Sequence, residues 1–586
     1  MSRRQSTNTT TIHGAFREQV HRTPNLPATR KDDWRLTYSE LDRLSNSLGA
    51  ELQRLGARHG DVIAVCCERS PLLAAAFLAV LKAGGVYLPL DLTHPQDRLN
   101  YMLLDSGAAF IIGDSGSLSV VAPRGQTLVP ISASERYYAD ASPKDAARPD
   151  SLAYLLYTSG STGFPKAVEI EHAGIVNVAA AQTIVFGVER GWRVLQFSSP
   201  IFDASIFEFI LALLHGGELC FASPNEMVLG PPLIQLLRQQ AISSLTITPS
   251  ALRLLPVEEV PTLKMLAVAG EACSAGLVRA WSRVAPFFNL YGPTEASIWA
   301  TAARCDSNDI EPSIGHPICN VSAVVIDEDG NELFGEGEGE LYLGGVGLAR
   351  GYRNRADLTE ERFITGPTGE RFFRTGDRVR VRADKSLVFL GRIDDQVKVR
   401  GFRIEPGEVE RVLLEHRNVS EAAVAAVGTV DDRRYLAAFW AGHHGADLGP
   451  AKLRAYLAKR LPEYMIPARF IRLETFPRTP SGKIDRQRLG ELTRGEQEDV
   501  ARAPVVDPVE QRLTDAVANI LDVSVLGLDV DFLDVGADSL SFVEIATYVA
   551  EEFKLNMYDA IELVSEHRTV RALARQLCNR GAELYP

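Results

Sequence analysis

The sequence predicts an α/β fold: a large unit of layered α/β sheets, a smaller α+β unit, and a helical unit at the C-terminal end. Three observations carry this. From Leu36 to about Phe389, helical segments alternate with short β-rich runs such as Leu152–Tyr157, Leu263–Ala269 and Leu341–Leu343. Glycine-rich turns separate them, the pattern of helices layered on parallel sheets. A second unit, from about Asp395 to Leu489, opens on the charged segment GRIDDQVKVRGFRIEPGEVE. From 509 to 580 the chain is acidic and helical: Phe542, Ile545, Ala546, Val549 and Phe553 recur at i, i+3, i+4, i+7 and i+11, one face of a helix.

Individual elements follow in chain order. Leu72 to Leu81 is the most apolar stretch, is too short for a membrane span and runs into Lys82, so it is expected to be a buried helix. Leu152–Tyr157 reads as a strand leading into a Gly/Ser/Thr-rich loop, Tyr157 to Lys166. Residues 321–326 (VSAVVI) followed by DEDGNE read as a hairpin strand and its turn. Residues 490–508 are polar and then Ala/Pro-containing, as a linker is. The expected division is 1–393, 394–489, a linker 490–508, and 509–580.

Composition bounds the function. The chain of 586 residues is 46% hydrophobic and 23% charged, as a soluble protein of several domains is. A net charge of −13 argues against a nucleic-acid partner, which requires a basic footprint. Seven scattered cysteines (Cys66, Cys67, Cys220, Cys273, Cys305, Cys319, Cys578) have no metal-ligand spacing and suit reduced thiols in the cytoplasm. The basic start, MSRRQSTNTTTIHG, has no apolar core behind it and is not a secretory signal. A membrane partner is not expected.

The loop from Tyr157 to Lys166 (YTSGSTGFPK) has the chemistry of a phosphate cradle. Its small residues free backbone amides, its hydroxyls add donors, and Lys166 adds charge. It lacks the Gly-Lys-Ser/Thr of a Walker A loop, which excludes a P-loop ATPase.

Ten stretches extend this signal in a fixed order: LTYSEL (36–41), LKAGGVYLPLD (81–91), YTSGSTGFPK (157–166), FDAS (202–205), NLYGPTE (289–295), GELYLGGVGLARGY (339–352), FRTGD (373–377), GRIDDQVKVRGFRIEPGEVE (391–410), LPEYMIP (461–467) and PSGKIDR (480–486). Through them the chain resembles the adenylation domains of nonribosomal peptide synthetases, within the adenylate-forming superfamily. The resemblance implies an ANL-type large N-terminal subdomain and a small mobile C-terminal subdomain. It also implies ATP and Mg²⁺ as cofactors. The ATP site would be Thr158, Ser159, Gly160, Ser161, Thr162, Gly163 and Lys166 of the loop, with Asn289, Tyr291, Gly292, Thr294, Glu295, Asp377 and Arg392. In it Tyr291 would stack on adenine, Asp377 would hold the ribose hydroxyls and Glu295 would hold the metal. Lys483, Lys398 and Thr162 would be catalytic, with Lys483 bridging the substrate carboxylate and phosphate, and Asp394 would be the hinge.

The resemblance also bears on the substrate. Asp203 matches the family's aspartate for an α-ammonium group, which an acyl or aryl acid lacks. The other implied pocket positions, beside Lys483, are Ala204, Phe207, Thr246, Ala267, Ala269, Leu290, Ile298 and Trp299. None carries a charge to pair with a charged side chain. An apolar α-amino acid is expected, a branched aliphatic such as valine preferred over a phenylalanine-like one.

Asp531 to Leu540 (DFLDVGADSL) resembles the phosphopantetheine attachment site of peptidyl carrier proteins, with Ser539 as acceptor and Ala537 where the family commonly has glycine. This implies a four-helix-bundle carrier at 509–580, a covalent 4'-phosphopantetheine and a phosphopantetheinyl transferase. His443-His-Gly-Ala-Asp447 is one residue short of a condensation motif. No thioesterase elbow or Rossmann fingerprint follows. The expectation is therefore a loading didomain that hands its cargo in trans to a condensation, tailoring or release enzyme, with a small MbtH-like activating protein as a further partner. An acyl- or aryl-CoA ligase and a catalytically silent carrier scaffold are the alternatives.

Overall fold

The structure is a computed structural model that describes residues 10–121, 125–132, 141–160, 163–428, 434–443, 448–479, 483–492, 507–521, 523 and 526–580. Two large sheets, of nine and seven strands, dominate the N-terminal part. Helices Ile12–Arg22, Tyr38–Arg54, Pro71–Lys82, His172–Phe186 and Asp203–Leu213 join strand residues of both sheets in one continuous apolar core. That layering follows from composition. All twelve residues of Pro71–Lys82 are buried, as a helix apolar on every side requires. Its terminal Lys82 is buried too, and its ammonium donates to Asp42 Oδ1 at 2.6 Å and Ser45 Oγ at 2.7 Å.

The parallel pairing expected of the large unit does not run through all of it, and the hairpin expected at residues 321–326 is present. The run Val321–Ile326 pairs antiparallel with Gly337–Gly345, which pairs antiparallel with Arg371–Val381, so this region is a separate five-stranded sheet. Parallel pairing needs a crossover of a dozen residues or more, and the ten residues between the first two strands carry a turn instead. The loop after Leu152–Thr158 also returns antiparallel, into Lys166–Glu171. It is a hairpin loop and not a strand-to-helix turn.

Beyond Arg392 comes a two-stranded hairpin, Val397–Val399 with Phe402–Ile404. A helix, Pro406–Leu414, follows, and then a three-stranded sheet of Val419–Val427, Tyr435–Gly442 and Arg469–Arg472. The C-terminal unit is four helices, Pro508–Ile520, Ser539–Glu552, Met557–Glu566 and Val570–Asn579, around a core of their own. Ile545, Ala546, Val549 and Phe553 are buried in it, with Phe542 packed at its edge. The described residues thus form a large α/β unit, a small α+β unit and a helical bundle, as expected. No helix among them is long and apolar enough to cross a membrane.

Candidate active site

The site forms where the parallel strands of the nine-stranded sheet end, the usual place for a ligand in an open α/β sheet. Register aligns Thr246 with Ala267, and Ala267 with Phe288. The strand Phe287–Tyr291 carries Asn289, Leu290 and Tyr291 to the same edge and breaks at Gly292. A Cβ on Gly292 would lie 2.4 Å from the Trp299 Cα, so only glycine lets these backbones meet. Ile298 holds φ = +76°, a strained value for a β-branched residue.

Asp203 opens the helix Asp203–Leu213. The residue is half-buried, and its carboxylate points into the site and accepts a hydrogen bond from Thr294 Oγ1 at 2.8 Å. Loss of solvent around the carboxylate pushes its pKa up to about 6. Among the described residues it has no ion pair, so a cationic group has room to neutralise it. Ala204 and Phe207 follow on the same helix. The Phe207 ring meets Trp299 edge-on at 6.2 Å, and Phe186 stacks on Trp299 at 5.4 Å. Leu290, Ile298 and Ala267 are buried around them, while Ala269 is half-buried.

A continuous polar chain runs along one side. Tyr291 donates its hydroxyl to Asp377 Oδ2 at 2.5 Å, and Arg392 Nη1 donates to Asp377 Oδ1 at 2.6 Å. Arg392 then forks onto Asp394 with bonds of 2.6 and 2.7 Å. Four residues singled out separately in the sequence are thus one network, ending at the hinge candidate. Asn289 Nδ2 is held by the Ser313 carbonyl at 2.9 Å.

The phosphate-cradle loop is pinned from outside. Ser159 Oγ donates to the Arg403 carbonyl at 2.7 Å and accepts from the Glu405 amide at 3.2 Å. Arg411 Nε donates to the Gly163 carbonyl at 2.9 Å. A Cβ on Gly160 would fall 1.9 Å from the Phe164 carbonyl oxygen, which fixes glycine there. Thr158 Oγ1 reaches the Lys166 carbonyl at 3.5 Å. Ser161 and Thr162 lie outside the described residues. Lys166 is buried against the Tyr352 ring, 4.3 Å from its centroid. Burial, with Arg403 nearby, lowers its pKa to about 8.

Glu295 departs from its expected role. Tyr352 donates its hydroxyl to Oε1 and Arg403 Nη1 donates to Oε2, both at 2.6 Å. Burial alone would raise its pKa, but Arg403, Lys166 and the Tyr352 bond hold it at about 2. Both oxygens are occupied, and no group of three or more potential metal-ligating side chains occurs among the described residues. In this arrangement the residues do not fit a Mg²⁺ ion.

The two lysines are treated differently. Lys398, on the hairpin, is half-buried, and its ammonium reaches inward to 5.6 Å from the Tyr291 ring centroid. Desolvation of that ammonium lowers its pKa against the opposing pull of Asp377 and Asp203. Lys483 is exposed at the surface of the small unit, its carbonyl accepting the Thr479 amide at 2.8 Å. The structure therefore brings Lys398, not Lys483, into the site, because the hairpin face of the small unit is turned inward.

That face closes on backbone. Gly401 (φ +80°) donates its amide to Glu271 Oε1 at 2.6 Å, and a Cβ there would lie 2.3 Å from Thr248 Cγ2. Phe402 stacks on Tyr464 at 4.2 Å and meets Phe202 edge-on. Arg98 and Glu408, both buried, pair across the same junction at 2.5 Å.

Ser539 is exposed and is the first residue of the helix Ser539–Glu552, capped by Asp538 through a reciprocal capping box with Ser541. Asp538 pairs with Arg400. Arg454 donates to the Leu533 carbonyl at 2.6 Å and Arg469 to that of Leu521 at 3.1 Å, holding the bundle against the small unit. A cavity of about 640 Å³ has Leu540 and Glu544 at its lining together with Lys398 and Arg392. Ser539 directly precedes Leu540 of that lining.

Sequence reasoning passed over Arg403, Tyr352 and Glu405, although all three stand inside quoted motifs, Tyr352 at the end of GELYLGGVGLARGY and Arg403 and Glu405 within GRIDDQVKVRGFRIEPGEVE. An arginine set between apolar Phe402 and Ile404 on a short strand was the available signal.

Three family models match in order: AMP-binding enzyme at residues 16–353, AMP-binding enzyme C-terminal domain at 408–483 and phosphopantetheine attachment site at 511–577. The chain is 37% identical over 94% of its length to tyrocidine synthase 1 from Brevibacillus parabrevis, spanning 51% of that protein. It is 38% identical over 98% to the phosphinothricin tripeptide synthetase PhsC of Streptomyces viridochromogenes, spanning 54%. It is 38% identical over 94% to bacitracin synthase 3 from Bacillus licheniformis, spanning 9%. The chain thus covers about half or less of these relatives. Among solved structures it is similar to holo-PA1221, an adenylation and carrier protein bound to a vinylsulfonamide inhibitor. That match has a TM-score of 0.83 and 26% identity, and covers 99% of this chain and 98% of that one. The fused adenylation–carrier didomain NpsA-ThdA of Klebsiella oxytoca matches with a TM-score of 0.71 and 27% identity over 88% and 98%.

Proposed function

The chain belongs to the AMP-binding enzyme family, as a nonribosomal peptide synthetase adenylation domain joined to a carrier domain, and from this we propose that it activates an apolar α-amino acid with ATP and loads it onto its own carrier at Ser539. Division into residues 1–393, 394–489 and 509–580, with the hinge at Asp394, belongs to the same reading.

The observation that carries it is the shared cavity, lined by Lys398 and Arg392 as well as by Leu540 beside Ser539. A phosphopantetheine on Ser539, added by a phosphopantetheinyl transferase, supplies a thiol at the end of a long arm. In the first half-reaction the amino-acid carboxylate attacks the α-phosphorus of ATP, forming a C–O–P link as pyrophosphate leaves. A carboxylate is already ionised at neutral pH, so the residues need only align and neutralise. Asp203 holds the ammonium, and Asp377 and Tyr291 flank the nucleoside. For the second, the arm held by Ser539 would supply a thiolate to the acyl carbon, with AMP as the group displaced. Lys398, set beside Tyr291, offsets that departing charge.

The amino-acid side chain faces Phe207, Trp299, Leu290 and Ile298, with no charge among them, which supports an apolar substrate. Branched aliphatics such as valine are favoured because the Phe207–Trp299 contact narrows the pocket. The test is amino-acid-dependent ATP–pyrophosphate exchange over a full substrate panel, with covalent loading compared in Ser539→Ala. Apolar amino acids should dominate the exchange, and loading should vanish in the variant. Exchange with no amino acid, or loading that survives Ser539→Ala, would overturn the reading.

A further inference from the structure

Among the described residues, the Trp299 indole is placed by packing alone: its N–H is buried and has no hydrogen-bond partner. Its backbone is tightly seated, since a Cβ on Gly292 would already lie 2.4 Å from the Trp299 Cα. What is left to vary is the position of the ring, and its neighbours decide that. Phe186, which is not one of the positions implied to line the pocket, is the neighbour that reaches furthest into the cluster. It is buried, ends the helix His172–Phe186, and stacks on Trp299 at 5.4 Å with 28° between the planes. The same ring meets Phe207 edge-on at 5.9 Å and Phe288 edge-on at 4.9 Å. One turn earlier on the same helix face, Gln182 is fully buried and donates Nε2 to the Phe207 carbonyl at 3.1 Å. Residues 182 and 186 thus hold Phe207 by its backbone and its ring, and Phe186 also touches the wall opposite.

We propose that Phe186 is a positioning residue that sets the reach of the amino-acid pocket, by holding the Trp299 indole against the Phe207 ring. The inference deepens the proposed function and rests on its assignment of Phe207 and Trp299 to the substrate side chain. Protein interiors are close-packed, so atoms removed from Phe186 leave a space that the surrounding side chains relax into. Phe207 is tethered through its carbonyl by Gln182. The indole has no such tether, so it is the wall that yields. Its retreat lengthens the pocket on the substrate side. A side chain too long for the native pocket, such as that of phenylalanine, then fits, while valine gains nothing from the added length. The choice between a branched aliphatic and a phenylalanine-sized substrate is thereby made by a residue that touches neither.

The test uses the full chain as wild type, Phe186→Leu, Phe186→Ala and Phe209→Leu, each checked for a native melting transition. Phe209 is the control: it lies on the helix Asp203–Leu213, is buried as deeply as Phe207, and packs on Phe77 at 5.3 Å. ATP–pyrophosphate exchange is measured as kcat/KM with valine, leucine and phenylalanine. The ratio of two substrates on one preparation cancels the fraction of active protein, so lost stability alone does not move it. The wild type should favour valine. Phe186→Leu should raise the phenylalanine-to-valine ratio about tenfold, with leucine between, and Phe186→Ala should raise it further where it folds. Phe209→Leu should lose stability and keep the wild-type ratio. A ratio unchanged in Phe186→Leu, or changed equally in Phe209→Leu, would overturn this proposal and leave the activation reading standing. A wild type whose exchange responds to none of the three amino acids removes the substrate reading, and this inference with it.

Discussion

Asp538, the residue before the acceptor Ser539, is ion-paired with Arg400, two residues beyond Lys398. One hairpin thus reaches inward with a lysine and outward with an arginine, and the arginine fixes the start of the carrier helix. Reversing that charge should separate docking from activation. Arg400→Glu should lower the loading rate roughly tenfold, while Arg400→Glu with Asp538→Arg recovers much of it. Single-turnover loading of a labelled amino acid measures both.

Asp203 carries a carboxyl whose pKa is raised to about 6 by desolvation. The folded state holds its proton more tightly than the unfolded state does, so the stability cost grows as pH rises from about 4 to 6 and is constant above. Asp203→Asn should therefore stabilise the substrate-free protein by ~1–3 kcal/mol at pH 7 and by little at pH 4. Amino-acid-dependent exchange should be abolished in the same variant. For the wild type, kcat/KM for the amino acid should fall as pH drops below about 6, where the carboxylate loses its charge.

Lys398 reaches into the site and Lys483 is exposed, which predicts opposite phenotypes. Lys483→Ala should reduce pyrophosphate exchange by about 10²-fold or more, yet still load Ser539 from a supplied aminoacyl adenylate. Lys398→Ala should do the reverse. Equal losses in both assays for both variants would mean that the lysines do not alternate.

Lys82 ends a helix with no exposed residue, and its charge is met by Asp42. Lys82→Ala should cost about 3 kcal/mol, since it leaves a cavity and an unpaired carboxylate. Lys82→Met, which keeps the volume, should cost less. Urea denaturation midpoints compare the two.

Much of this molecule is written locally. The apolar run 72–81 could only be a buried helix, and the Phe542–Phe553 stripe could only face a bundle core. The resemblance pointed to Asp203, Tyr291, Asp377 and Ser539 because each stands inside a motif whose neighbours restrict it. What stayed hidden depends on long-range assembly. That Lys166–Glu171 returns antiparallel onto Leu152–Thr158 is decided by the short loop between them, not by either strand. That Glu295 meets Arg403, 108 positions away, depends on which face of the small unit is turned inward. The exposed position of Lys483 has the same origin. A sequence records the residues of both faces, while a single arrangement presents one.

Gly401 gives the closure an unusual vulnerability. Its backbone lies against Gly270, its Cα and carbonyl oxygen each 3.5 Å from where a Gly270 Cβ would stand, and one methyl group at 401 would strike Thr248. Most hinged machines can be slowed by degrees, through weaker contacts or looser packing. Here one added carbon acts as a doorstop: Gly401→Ala leaves each half of the molecule its own core while barring the gap between them. Any side chain at 401 must displace the Thr248 methyl and hold a positive φ, so the junction in this arrangement favours glycine alone.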